Sequence, residues 1–272
     1  MHWLNHALTF AAAAVGGMVN SVAGGGTLLT FPALLLAHQT EIVANATSTV
    51  ALWPGALSSF WGYRAELGSN RREIAMLAIP SFLGGILGAY LLLKTDNATF
   101  AALVPWLILL ATLLFLVQEP LSRWQRRRAE PAGVSQPPDP LDAWEHGNRR
   151  SRARWIVVLL FQFLVGVYGG YFGAGIGILM LAAFGFLGFT NIHHMNALKN
   201  LNGMCINGIA AALFICKGLV DWHLALWMAS AAIIGGYAGA GAARRAGQKA
   251  VRRAIVGIGF ALSIWLLVRQ FK

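Results

Sequence analysis

Ten apolar segments follow one another along this chain, and their spacing leaves little choice of solvent. They run near residues 7–22, 28–37, 44–60, 74–93 and 100–117 in the first half, and near 155–172, 176–189, 197–215, 223–243 and 250–268 in the second. A helix needs about 20 apolar residues to cross a bilayer, and all but the second and seventh segments come near that length. Composition agrees. Hydrophobic residues make up 57%, charged residues 11%, and the mean hydropathy is +0.60, whereas an ordinary soluble domain is about 25% charged. The expected fold is all-α, a polytopic membrane bundle. Residues 1–6 hold no Lys or Arg to open a signal peptide, so the run that follows is expected to remain as a helix.

A formal charge of +11 invites a nucleic-acid partner. The basic residues, however, sit in a few short loops between apolar segments, as topology signals do, and none is expected. Cys205 and Cys216 lie eleven residues apart. In one helix they share a face about 16 Å apart, too far for a disulfide, and are expected to be packing residues. With no CxxC pair and no metal-finger spacing, no metal and no cofactor is expected.

Three parts are expected: a first transmembrane repeat (1–117), a polar Arg- and Pro-rich linker (118–154) and a second repeat (155–272). The linker holds five prolines, eight arginines and half of the ten acidic residues, and is expected to be a solvent-exposed, mobile cytoplasmic segment. The repeats align without a gap at an offset of 151. Asn45-Ala46 falls on Asn196-Ala197, and Gly84-Gly85-x-x-Gly88-Ala89 on Gly235-Gly236-x-x-Gly239-Ala240. If each half crosses five times, one side of the membrane collects 16 of the 21 basic residues and the other Lys94, Lys217, Arg269 and Lys272, with Lys199 left over. The positive-inside rule makes the basic side cytoplasmic. An odd number of crossings inverts the second repeat relative to the first, and inverted repeats with interrupted helices recur in transporters. A multi-pass membrane protein is expected, with the linker and most basic loops cytoplasmic.

The interruptions are Ala23-Gly24-Gly25-Gly26-Thr27 and Gly173-Ala174-Gly175-Ile176-Gly177. The short segments after them are either tilted spans or returning halves of re-entrant hairpins. Irregular backbone at membrane depth must be buried in protein or line a wet cavity, and a helix starting after such a turn aims free N–H groups at the gap. Gly24, Gly25, Gly26, Gly173 and Gly175 are therefore candidate anion contacts, with Asn20, Ser21 and Thr27 able to add side-chain bonds; tight helix packing is the alternative. Lys199 is the one basic residue placed at the start of a predicted span. An intramembrane charge needs a partner, here either an anionic substrate or, by snorkelling, the interface. Asn45, Thr47, Ser48 and Thr49 occupy the place in the first repeat that Asn196, Lys199 and Asn200 occupy in the second, and Asn207 lies two turns beyond Asn200. These polar groups suit a shared central site or ordinary interhelical hydrogen bonds. His193 and His194 could shuttle protons, yet no acidic residue falls in the middle of a predicted span.

The stretches Asn20-Ser21-Val22-Ala23-Gly24-Gly25-Gly26-Thr27, Asn45-Ala46-Thr47-Ser48-Thr49, Pro54-Gly55 and Gly62-Tyr63-Arg64-Ala65-Glu66-Leu67, with Gly173-Ala174-Gly175, Asn196-Ala197-Leu198-Lys199-Asn200 and Asn207 in the second half, resemble the sulfite exporter TauE/SafE family, also called the toluene sulfonate uptake permease family. Ala174 and Ile176 depart from the unbroken glycine cluster such a chain would carry. The resemblance implies an inner-membrane permease for small sulfur-containing anions such as sulfite or organosulfonates, with Lys199 as an anion contact, and not an enzyme. The expected partners are a small anionic substrate and the lipid bilayer; a homodimer is one oligomeric state open to it. Rival functions are a non-transporting membrane subunit and a membrane enzyme built on His193 and His194.

Overall fold

The computed structural model describes residues 2–22, 24–67, 71–129, 149–189, 191–242 and 248–270. Every regular element among them is helical: α1 (His2–Val22), α2 (Thr27–Leu36), α3 (Glu41–Tyr63) with a 3-10 turn (Arg64–Leu67), α4 (Arg71–Lys94), α5 (Asn97–Ala129), α6 (Arg149–Tyr171), α7 (Ile176–Leu187), α8 (Ile192–Cys216), α9 (Trp222–Ala242) and α10 (Gln248–Gln270). The ten helices follow the ten apolar segments in order. They differ most at the linker. α5 runs on through 118–129 and α6 begins at Arg149, so the segment expected to be a mobile linker is helical at both ends; the rest of it, 130–148, lies outside the described residues. Ser, Arg, Gln and Ala there are adequate helix formers, and polarity alone does not end a helix.

Polarity is turned inside out relative to a water-soluble protein. Thr47, Ser48, Ser81, Gln162 and Asn202 are fully buried, while Phe82, Leu83, Trp106, Leu160, Leu164 and Ile234 are exposed. An apolar exterior of this extent is stable against lipid and not against water. Four helical stretches among the described residues are long and apolar enough to cross a membrane: Arg71–Lys94, Asn97–Leu114, Arg152–Tyr171 and His193–Cys216.

α3 and α8 pack on each other at the centre. α4 runs along α6 and against α8; α9 runs along α1 and against α3; α5 pairs with α10. Glycines set the closest approaches. A Cβ on Gly84 or Gly88 would overlap the carbonyl oxygen of Phe163 or Val167 on α6, and one on Gly235 would overlap that of Ala14 on α1. Without a hydrophobic force between helices in lipid, such backbone proximity supplies dispersion contact along the whole seam. Polar fasteners add direction. The Gln162 amide donates to the Ser81 hydroxyl at 2.7 Å, and Ser81 lies 2.7 Å from the Leu77 carbonyl and 3.2 Å from Asn202 Oδ1, joining α4, α6 and α8.

Candidate functional site

The turn between α1 and α2 and the turn between α6 and α7 touch. Gly175 donates its N–H to the Gly24 carbonyl at 3.1 Å, and a Cβ on Gly24 would stand 2.8 Å from Gly177 Cα. Gly24 and Gly175 have φ of 75° and 81°, in the left-handed region open to glycine. Both the turn and the close approach thus require residues without side chains.

A cavity of ≈ 20 Å³ lies beside this contact, lined from α1 and its turn by Asn20 and Gly24, and from α8 by Lys199, Asn200 and Asn207. It has room for about one water. Lys199 is 3% exposed. Because α8 starts at Ile192, five residues before the apolar run, Lys199 sits about 10 Å along the helix instead of at its mouth, and the side chain is buried rather than snorkelling. The Nδ2 atom of Asn200 is buried without a hydrogen-bond partner among the described residues. Next to Gly24, Ile176 and Gly177 begin α7 and also line the cavity, and their N–H groups have no backbone acceptor among the described residues, as the first turn of a helix requires. An ammonium, amide side chains and a helix N-terminus around one small cavity form a donor-rich site, the chemistry that holds an oxyanion.

The other predicted residues are placed elsewhere. Asn45 Nδ2 donates to the Tyr171 carbonyl at 3.0 Å and so holds the end of α6. Thr47 accepts from the Asp221 N–H at 3.0 Å, Ser48 and Thr30 share a hydrogen bond at 2.6 Å, and Thr49 donates to the Asn45 carbonyl. Gly25, Gly26 and Thr27 are buried at the start of α2, with Gly26 packed on Gly16. Gly173 has φ of 85°, and the space a Cβ would fill there is 3.5 Å from Asn207 Oδ1. Asn196 Oδ1 is buried without a partner among the described residues but does not line the cavity. The Ser21 side chain lies outside the described residues.

Ala56 and Ser59 on α3, Met180 on α7 and Gly203 on α8 complete the lining and were not singled out by sequence. Two signals pointed to them: Asn200, Gly203 and Asn207 share one helix face at i, i+3, i+7 spacing, and Ala56 is the counterpart of Asn207 at the offset of 151. Nor did the sequence pair His194 with Glu73, 2.6 Å away.

A family model described as "Sulfite exporter TauE/SafE" matches residues 9–266. Among curated proteins, the chain is 28% identical over 266 residues to a "Probable membrane transporter protein" of Haemophilus influenzae, covering 97% of this chain and 95% of that one. It is 26% identical over 261 residues to "Probable membrane transporter protein ORF9" of Sinorhizobium sp, covering 96% and 92%. It is 28% identical over 262 residues to "Probable membrane transporter protein YfcA" of Escherichia coli K12, covering 95% and 88%. No solved structure matches the chain.

Proposed function

The chain belongs to the sulfite exporter TauE/SafE family, and from that premise we propose that this membrane transporter moves a small sulfur-containing anion, of the sulfite or organosulfonate class, across the inner membrane by alternating access. The observation that carries the proposal is the convergence of Lys199, Asn200, Asn207 and the first turn of α7 on a cavity at the meeting point of the two interruptions. Asn20 and Gly24 form its α1 side. The anion is held by Lys199, by the amides and by the N–H groups of Ile176 and Gly177. At ≈ 20 Å³ the cavity is contracted, and substrate enters as the two repeats rock apart.

Inverted repeats supply the rocking elements. Exchanging α1–α5 for α6–α10 maps the α4–α6 pair onto α9–α1 and α4–α8 onto α9–α3, while α3–α8 and α5–α10 map onto themselves. The Trp53 indole N–H donates to the Met204 carbonyl at 3.2 Å; these residues are 151 apart, so they meet where a two-fold axis would pass. In this arrangement the 3-10 turn and the start of α4 face the cytoplasm, as the clustering of arginines there requires.

Lys199→Met in proteoliposomes tests the site. A charge-assisted hydrogen bond contributes about 1.5–3 kcal/mol, so apparent affinity for sulfite, sulfoacetate or taurine, whichever the native protein carries, falls about ten- to hundredfold, with Lys199→Arg retaining part of it. Native affinity and flux in Lys199→Met would remove Lys199 from the site.

A further inference from the structure

At the end of the bundle where α4 and α8 begin, a buried carboxylate meets a partly buried imidazole. Glu73, in the first turn of α4, is 3% exposed, and its Oε1 lies 2.6 Å from Nε2 of His194 in the first turn of α8. The other ring nitrogen, Nδ1, is 2.9 Å from the Glu66 carbonyl oxygen in the 3-10 turn. A carbonyl oxygen only accepts, so Nδ1 carries a hydrogen and donates it. One proton then remains to be shared between Nε2 and Glu73, as carboxylate with imidazolium or as carboxylic acid with neutral imidazole. Both arrangements are attractive. With that proton gone, neutral imidazole has one N–H for two acceptors, the Glu66 carbonyl and the Glu73 carboxylate, and a lone pair would face whichever of them it does not serve. This geometry is therefore that of a pair holding one proton.

The surroundings fix the imidazole. The Phe189 ring stacks on it at 5.6 Å and 26°. The Asn191 side chain accepts from the N–H groups of His193 and His194 at 3.0 and 3.3 Å, and Leu67, Leu77, Trp155 and Met195 belong to the apolar cluster at this end. At this end of the elements packed here, the charged and titratable groups with described side chains are Tyr63, Arg64 and Glu66 on α3 and its turn, Arg71 and Arg72 on α4, Arg152 and Arg154 on α6, and His193 on α8.

The pair ties the first repeat to the helix that carries Lys199, which lies five residues beyond His194, about 7.5 Å along α8. Ser59, in the cavity wall, is little more than one turn before the 3-10 turn. At the corresponding junction of the other repeat, where α9 begins, the link is chemically different. The Asp221 carboxylate accepts from the Gln39 amide at 2.9 Å and from the Leu224 N–H at 3.1 Å, and the Asp221 N–H donates to Thr47 at 3.0 Å. A carboxylate between N–H donors needs no bound proton. One junction thus depends on a proton and the other does not.

Resting on the transport reading above, we propose that Glu73 and His194 form the proton-binding site that couples anion movement to protons. With the proton bound, α4 and the 3-10 turn are fastened to α8 and the cavity is sealed at this end. Loss of one proton to solvent leaves one N–H where two were donated, breaks one of the two His194 contacts with the first repeat, and loosens α8.

The test uses the full chain purified in detergent, with Cys205→Ala and Cys216→Ala and a reporter thiol from Ser59→Cys. The rate of maleimide labelling is followed from about pH 6 to about pH 8.5, across the ordinary range of histidine, and divided by the rate for the same reporter with Glu73→Gln. The glutamine amide donates to neutral Nε2 and keeps the contact without titrating, so the ratio cancels the thiol's own ionisation. The ratio is expected to rise at least about tenfold with pH, as for a gate whose closed state is favoured by more than about 1.4 kcal/mol, and His194→Ala is expected to label rapidly throughout. A ratio that stays flat overturns the proposal. Labelling needs neither substrate nor flux. A rising ratio in a protein that carries no sulfur-containing anion would sink the substrate assignment alone, and a flat ratio in one that does would sink the proton site alone.

Discussion

Gly88→Ala and Gly257→Ala are the same chemical change with opposite expected signs. Both glycines are helical, in α4 and α10, and alanine gains about 0.8–1.0 kcal/mol of helix propensity at either place. Around Gly257 nothing among the described residues lies within 4 Å of the added Cβ, so the gain stands. At Gly88 the methyl would overlap the Val167 carbonyl oxygen and lie 2.8 Å from its carbon and 2.9 Å from Tyr171 N. These are backbone atoms of α6 and have no rotamer to change. Restoring ordinary carbon contact near 3.5 Å moves the helices apart by at least about 0.7 Å, which also loosens the Gly84–Phe163 and Gly85–Gly170 approaches on the same seam. Overpacking of this kind costs about 1–3 kcal/mol, occasionally more, and exceeds the propensity gain. Thermal unfolding in detergent should show Gly88→Ala less stable by about 1–2 kcal/mol and Gly257→Ala more stable by up to about 1 kcal/mol. If Gly88→Ala proves as stable as Gly257→Ala, backbone proximity at α4–α6 is not what holds these two helices together.

Ser81→Ala leaves the buried Gln162 amide without its acceptor and Asn202 Oδ1 without the hydroxyl, so unfolding should show a loss of about 1–3 kcal/mol, partly recovered when Gln162→Met is added. Asp96 accepts from the Thr99 hydroxyl at 2.7 Å and its N–H at 2.9 Å, and the Thr99 hydroxyl chiefly holds its carboxyl below the ordinary 3.8. A depressed folded value means that this contribution is present above pH 3.8 and is lost as pH falls through the folded value. Asp96→Ala should therefore lower the midpoint of thermal unfolding at neutral pH, and the difference from the native chain should shrink in acid.

The candidate site was legible only in part. Asn20, Gly24, Lys199, Asn200 and Asn207 stood out as polar or glycine residues in apolar surroundings and do line the cavity. Asn45, Thr47, Ser48 and Thr49 looked equivalent to them, but their bonds fasten neighbouring elements or their own helix. A polar side chain in a span must find a partner in either role, and composition cannot say which.

Sequence alone determined the order of the helices among the described residues, because an apolar run is driven out of water and must satisfy its own backbone once there. It also marked where the helices are interrupted, because glycine clusters are the local chemistry that permits a turn. Tertiary structure decided that the two interruptions meet, that Lys199 is buried well inside α8, and that Glu73 faces His194 from 121 residues away. Those facts depend on which helix faces pack, and a helix crossing lipid has polar and apolar faces too alike in sequence to announce its neighbours.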